Sequence, residues 1–295
     1  MTSVKVLERV TRVTPLGVRF LDGATGAYVT GALSVEVYPK GEADRRTRGI
    51  VNRASVFVFR NLPSLSQIER GAGDAAFWAA ETPRYPFVLE VRDGDDRFLP
   101  FTLDVLLPGR RLLGVAFDSP ASSPLASQTG SSSQSLPVFS SPARAIPDAM
   151  GALRAEIVDS GTGAPAAWAL VEAKGPGQAL VTGLADGSGR VLLPLHYPKP
   201  VVTLGSPGSP SLPLTSQTWT IDFTVRYRRR VPAPAIPDLA DVLTQPAATT
   251  WQDVARTTAW THATLRFGRD LVLASVTGSG AASPTLLITP AGSPL

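Results

Sequence analysis

The chain has 295 residues, of which 43% are hydrophobic and only 18% charged, enough apolar material for two or three cores of ordinary size. Its 27 prolines and 26 glycines interrupt any long helix, which excludes an all-α fold. The lack of cysteine excludes disulfides, thiol catalysis and cysteine-held metals, and a formal charge of +4 carried on scattered arginines gives no basis for nucleic-acid binding.

The first residues, "MTSVKVLERVTR", carry charges throughout and lack the apolar stretch of a secretory signal, so cytoplasmic synthesis without Sec export is expected. No window reaches the roughly 18 consecutive apolar residues of a membrane-spanning helix, and no membrane insertion is expected. Next, "FLDGATGAYVTGALSVEV" at residues 20–37 reads as strand, tight turn and strand: Leu33, Val35 and Val37 alternate with Ser34 and Glu36 after the turn chemistry of Asp22 and Gly26. "GIVNRASVFVFRNLP" at 49–63 adds a polar turn at Asn52 and an alternating strand through Phe57 and Phe59. A weakly helical loop carrying Trp78 follows, and "PFVLEVRDGDDRFLPFTLDVLLP" reads as a further hairpin. Together these predict a first β-sandwich over residues 1–115.

Residues 119–141 contain ten serines and no charge, the composition of a linker, placed at 116–150. Beyond it the opening phrase returns. "IVDSGTGAPAAWALVEA" at 157–173 repeats Asp-x-x-Thr-Gly, with Asp159, Thr162 and Gly163 in the places of Asp22, Thr25 and Gly26. "GLADGSGRVLLPL" at 183–195 repeats the second turn, Asp186 standing for Asn52 and Val191 and Leu193 for Phe57 and Phe59. A duplicated small sandwich is therefore expected, the second over 151–231, with Trp219, Ile221, Phe223, Val225 and Tyr227 alternating on its edge or last strand. Residues 232–295 predict a short helix capped by Asp238 and strands either side of the Gly268–Arg269 turn, too few for a separate core, and are expected to be an assembly arm that pairs with neighbouring sheets. The fold class is all-β: two tandem small β-sandwiches with a strand-containing carboxyl-terminal extension.

The chain offers little to catalysis. His196 and His262 lie in different segments, where strand-end roles account for them. The Asp93–Asp96 run lacks the ligand spacing of a calcium loop, and "GSGR" at 187–190 leads into a strand rather than a helix. No nucleophile elbow, phosphate loop or dinucleotide fingerprint occurs. No catalytic residue, metal or cofactor is expected. Arginine clusters stand at 45–48 and 226–230; Arg226, Arg228, Arg229 and Arg230, with Trp251 and Trp260, are the candidate partner-facing residues.

The second copy, with Asp159, Thr162, Gly163, Pro165, Asp186 and Gly189, resembles the carboxypeptidase regulatory-like, or transthyretin-like, sandwich family, whose modules are non-catalytic. The wider set of phrases, "PLGVRFLDGATGAYV", "FRNLPSL", "FVLEVRDGDDRFLPFTLDVLLP" and "LLITPAGSP", resembles structural proteins of contractile injection systems, the phage-tail-like particles. That resemblance implies a cap-end adaptor touching tube, sheath and terminal cap proteins, a six-fold homo-oligomer, and a soluble particle released by lysis. The rival expectation is a tail-fibre or baseplate sandwich that binds carbohydrate or a host protein through Trp78, Trp168, Trp219, Trp251 or Trp260.

Overall fold

The computed structural model describes residues 13–71, 76–77, 83–109, 112–114, 135–200 and 213–292. The chain is mainly β, 42% strand and 6% helix, and its sheets are antiparallel or mixed. Two compact units are formed: Met1–Leu21, Tyr28–Val91 and Thr102–Leu136 make one, and Asp22–Ala27, Arg92–Phe101 and Pro137–Leu295 make the other. Trp78 and most of the serine-rich stretch lie outside the described residues.

The first half contributes β1 (Gly17–Val18), β2 (Phe20–Asp22), β3 (Tyr28–Val29), β4 (Leu33–Pro39), β5 (Thr47–Arg48), β6 (Ile50–Val51) and β7 (Phe57–Val58). After the short helix α1 (Ser66–Glu69) come β8 (Tyr85–Asp93), β9 (Phe101–Leu107) and β10 (Leu136–Val138). One sheet has the order β5-β4-β8-β9; β1-β7-β6 and β10-β2-β3 are the others. β4 alternates buried Leu33, Val35 and Val37 with half-exposed neighbours, as its sequence period requires. Phe20 meets Phe57 edge to face at 5.3 Å, and each such fully buried side chain contributes about 1.5–3 kcal/mol.

The second half contributes β11 (Met150–Asp159), β12 (Leu170–Lys174), β13 (Val181–Leu184), β14 (Arg190–His196) and β15 (Thr218–Arg226). Helix α2 (Leu239–Leu243) follows, capped by Asp238, which accepts from the Ala240 N–H at 2.9 Å. The final strands are β16 (Thr249–Thr250), β17 (His262–Arg266), β18 (Leu271–Leu273) and β19 (Leu286–Thr289). The sheets run β14-β11-β19-β16, with β18 also on β11, and β13-β12-β15-β17. Leu153, Ile157, Val171, Ile221, Phe223, Val225, Leu265 and Leu286 fill the space between them.

Two sequence expectations are changed by this pairing. β15 is not an edge strand, because β12 and β17 flank it in register through Ala173↔Phe223 and Ile221↔Ala263. The stretch after Pro232 belongs to the second unit: β17 joins β15, while β18 and β19 run parallel to β11 through Leu153↔Leu271 and Ile157↔Leu286. The edges that these strands were expected to find on a neighbour are supplied by their own chain, where Leu265, Leu273, Leu286 and Ile288 are all buried.

The two halves repeat one pattern down to register. Gly17↔Val58 and Val18↔Phe57 correspond to Arg154↔Leu192 and Ala155↔Val191, offsets of 137 (17 to 154) and 134 (58 to 192). Glu36↔Arg48 and Val37↔Thr47 correspond to Glu172↔Thr182 and Ala173↔Val181. The parallel bridge Val18↔Leu113 matches Ala155↔Leu273. Glycines at corresponding places also agree: a Cβ on Gly49 would lie 2.8 Å from Phe59 Cζ, and one on Gly183 would lie 3.1 Å from Leu193 Cδ1. At both places the chain passes under the side chain ten residues on, and the missing Cβ leaves it room.

Candidate functional site

The repeated phrase folds into the same turn twice. Gly26 N–H donates to Asp22 O and Asp22 N–H to Ala27 O, as Gly163 N–H donates to Asp159 O and Asp159 N–H to Ala164 O. The aspartate side chain accepts the N–H two residues on, from Ala24 or Gly161, each at 2.9 Å. The threonine hydroxyl then accepts from Ala27 or Ala164 at 3.3 Å. Glycine ends both turns because φ is +68° at Gly26 and +70° at Gly163, where a Cβ would crowd the backbone.

Each aspartate also holds an arginine from far along the chain. Arg144 donates from Nη1 to Asp22 Oδ1 at 3.0 Å and from Nη2 to Oδ2 at 2.6 Å. Arg229 donates from Nε to Asp159 Oδ2 at 2.7 Å and from Nη2 to Oδ1 at 3.0 Å. Both are forked pairs, the arrangement that fixes a guanidinium plane against a carboxylate. Arg144 is further held by donation to Ser140 Oγ at 2.9 Å and by the face of Phe98, 4.7 Å away. Burial pushes the Asp22 carboxyl up, but the Arg144 fork, the Ala24 N–H and the Thr25 hydroxyl more than offset it and hold its pKa below the ordinary value. Burial raises Asp159 as well, and Arg229 with the Gly161 N–H brings it below the ordinary value. With both oxygens of each carboxylate engaged, these groups are ties rather than bases.

A second kind of turn recurs four times among the described residues. Asn52, Asp93, Asp186 and Asp253 each accept, on the side chain, the N–H four residues on, from Val56, Arg97, Arg190 and Thr257. The residue three on has positive φ in every case: Ser55, Asp96, Gly189 and Arg256. The Asp93–Asp96 run is thus hairpin machinery. Arg97 Nη2 donates to Asp93 Oδ1 at 3.1 Å, and the Phe98 N–H joins Arg97 N–H on Oδ2. Among the described residues no three His, Cys, Asp or Glu side chains converge to hold a metal.

The residues singled out as partner-facing are engaged within the chain. Arg226 pairs with Glu172 at 3.1 Å, and Arg228 and Arg230 share Asp241 of α2 at 2.6 and 2.7 Å. Gln245 completes this knot, accepting from Arg228 N–H and Arg230 Nη1 while donating to Trp168 O and Val242 O. Trp251 is buried and donates to Thr289 Oγ1 at 2.8 Å; Trp260 is half-buried, edge-on to Phe223 at 5.4 Å. Trp168 is buried and donates to Pro234 O. His196 and His262 are both exposed. In the 45–48 cluster, Arg46 pairs with Glu36 and Glu90 and Arg45 with Glu42. Arg144 has no local pattern around it that would have nominated it.

No family model matches the chain, and no curated protein matches it. Among solved structures, the chain is similar to a crystal structure described as a candidate adhesin from Bacteroides ovatus ATCC 8483. The identity is 10% over 98% of this chain and 100% of that one, with a TM-score of 0.20. A likeness at that score carries no argument. No helix among the described residues is long and apolar enough to cross a membrane.

Proposed function

We propose that the chain is a non-enzymatic structural component of a phage-tail-like contractile injection particle, serving as a cap-end adaptor between tube or sheath and terminal cap. The observation that supports this reading is the duplicated sandwich whose leading turns, at Asp22 and Asp159, are each tied by a distant arginine fork. A forked arginine fixes each turn against the rest of its fold, which suits a rigid structural part. The resemblance of the sequence to structural proteins of such particles supplies the partners: tube, sheath and terminal cap proteins, in a six-fold ring of this chain.

The test is deletion of the coding sequence in a particle-producing host, followed by electron microscopy and mass spectrometry of the purified particles. The reading expects wild-type particles to contain the chain in multiples of six, and deleted particles to lack an ordered cap. Particles of normal length and capping after deletion, or wild-type particles free of the chain, would overturn it.

A further inference from the structure

At one end of the second sandwich, the turn at 176–178, the segment at 197–199 after β14 and the start of β15 enclose an open cleft of about 670 Å³. That volume is in the range of small-molecule sites, and sandwich-end loops are where a rigid β framework presents binding groups. Among the described residues its lining holds no carboxylate, and Asp222, on the same face of β15, lies two residues beyond Thr220 and outside the lining. Lys199 is exposed on the wall, and Arg266 stands directly across from Thr218, a position that puts both side chains on one sheet face. Neither cation has an ion-pair partner among the described residues.

The rest of the lining is aromatic and hydroxylic. Tyr197 packs 5.7 Å from Trp219 and 4.7 Å from Phe267, and its hydroxyl accepts from the Gly268 N–H at 2.9 Å, so the ring is fixed. Thr218 and Thr220 are exposed at the start of β15. Gln178 is positioned by donating from Nε2 to His196 O at 2.8 Å. Trp219 is 5% exposed, and its indole Nε1 has no hydrogen-bond partner, an uncommon state for a buried donor.

We propose that this cleft is a binding site for an acidic saccharide. An unpaired cation, fixed aromatic rings, hydroxyls and an amide are complementary to a sugar that bears both hydroxyls and a carboxylate. An acidic sugar can pair its carboxylate with Lys199 and its hydroxyls with the threonines, contacts that a neutral sugar or a purely apolar ligand gains only in part. The assignment is independent of particle assembly, since the site lies within one chain.

The experiment uses the full ¹⁵N-labelled chain, following the tryptophan indole N–H signals by NMR at 150 mM salt during titration with trigalacturonate and, separately, maltotriose. Trigalacturonate should shift the Trp219 indole signal at least tenfold more tightly than maltotriose. Lys199→Ala, an exposed change, should weaken trigalacturonate at least fivefold. Equal binding of the two sugars would overturn the acidic assignment. Binding undiminished in Lys199→Ala, or a Trp219 signal that neither sugar moves, would overturn the site.

Discussion

Arg144→Met isolates the tie on the first repeated turn. It removes the two hydrogen bonds of 3.0 and 2.6 Å onto Asp22 and the one of 2.9 Å onto Ser140, while an unbranched stem of similar length remains to cover Phe98. Breaking a buried pair from one side costs roughly 3–5 kcal/mol when nothing else solvates the stranded charge. Here Asp22 keeps the Ala24 N–H at 2.9 Å and the Thr25 hydroxyl at 2.8 Å, so the expected loss is about 2–4 kcal/mol. In a unit of this size that lowers Tm by roughly 4–16 °C. Native-state hydrogen exchange at the Ala24 and Gly26 amides, combined with urea denaturation, reads the loss where it occurs. The cycle with Asp22→Asn should give a coupling of roughly 1–3 kcal/mol. Additivity within about 0.5 kcal/mol would show that the fork contributes nothing beyond its separate parts, and the account of the turn would be wrong.

Gly49→Ala should cost roughly 1–3 kcal/mol in urea denaturation, because its Cβ would lie 2.8 Å from Phe59, and Phe59→Leu in the same chain should recover part of it. Gly183→Ala, with 3.1 Å to Leu193, should cost less; the opposite order would contradict the reading of these distances as crowding. Asp22, Asp93 and Asp159 all have folded pKa values below the ordinary one, so the folded state holds fewer protons than the unfolded state as these groups titrate. Their contribution is full above the unfolded value near about 3.9 and is lost as pH falls through the lower folded values. Stability measured by urea should therefore be level from about pH 7 to 5 and fall steeply below about pH 4, less steeply in Asp22→Asn. A fall that is complete above about pH 5 would contradict the assignment.

What could be read from the sequence was what is local in the chain. The Asp-x-x-Thr-Gly turns close within five residues, so Asp22 and Asp159 announce themselves, as does Asp238 two residues before the N–H it caps. The arginines that complete the first two do not, because Arg144 and Arg229 are separated from their aspartates by 122 and 70 residues. Charge marks Arg229 in the sequence, but its fork onto Asp159 is visible only in the fold. The turn at Asp253 is not legible in the same way, because no alternating apolar strand follows it as one follows Asn52, Asp93 and Asp186. Likewise Gly49 and Gly183 stand in the aligned segments, but nothing short of the facing sheet shows why neither position has room for a Cβ.

The hardest part to read was the carboxyl-terminal stretch, and its placement makes a prediction opposite to the one its composition suggests. Residues 232–295 hold strands of two to five residues separated by Gly, Pro, Ser and Thr, too little apolar period to announce a core. Their partners are non-local: β18 and β19 run parallel to β11, more than a hundred residues earlier, and parallel pairing leaves no hairpin signal. The first half uses the same plan, with β9 beside β8 and β10 beside β2, so each repeat closes its sandwich with late strands. A chain cut after Arg230 therefore loses β17 from β15 and both parallel partners from β11. It exposes Leu153, Ile157 and Phe223, which are otherwise 0%, 0% and 3% accessible. Uncovering three such side chains removes about 4–9 kcal/mol, comparable to the whole stability of a domain. Limited proteolysis of the truncated chain should find 151–230 cleaved rapidly, with the β11 amides exchanging as in an unfolded chain. Protection of β11 equal to that of the full chain would show that the late strands are an appendage after all.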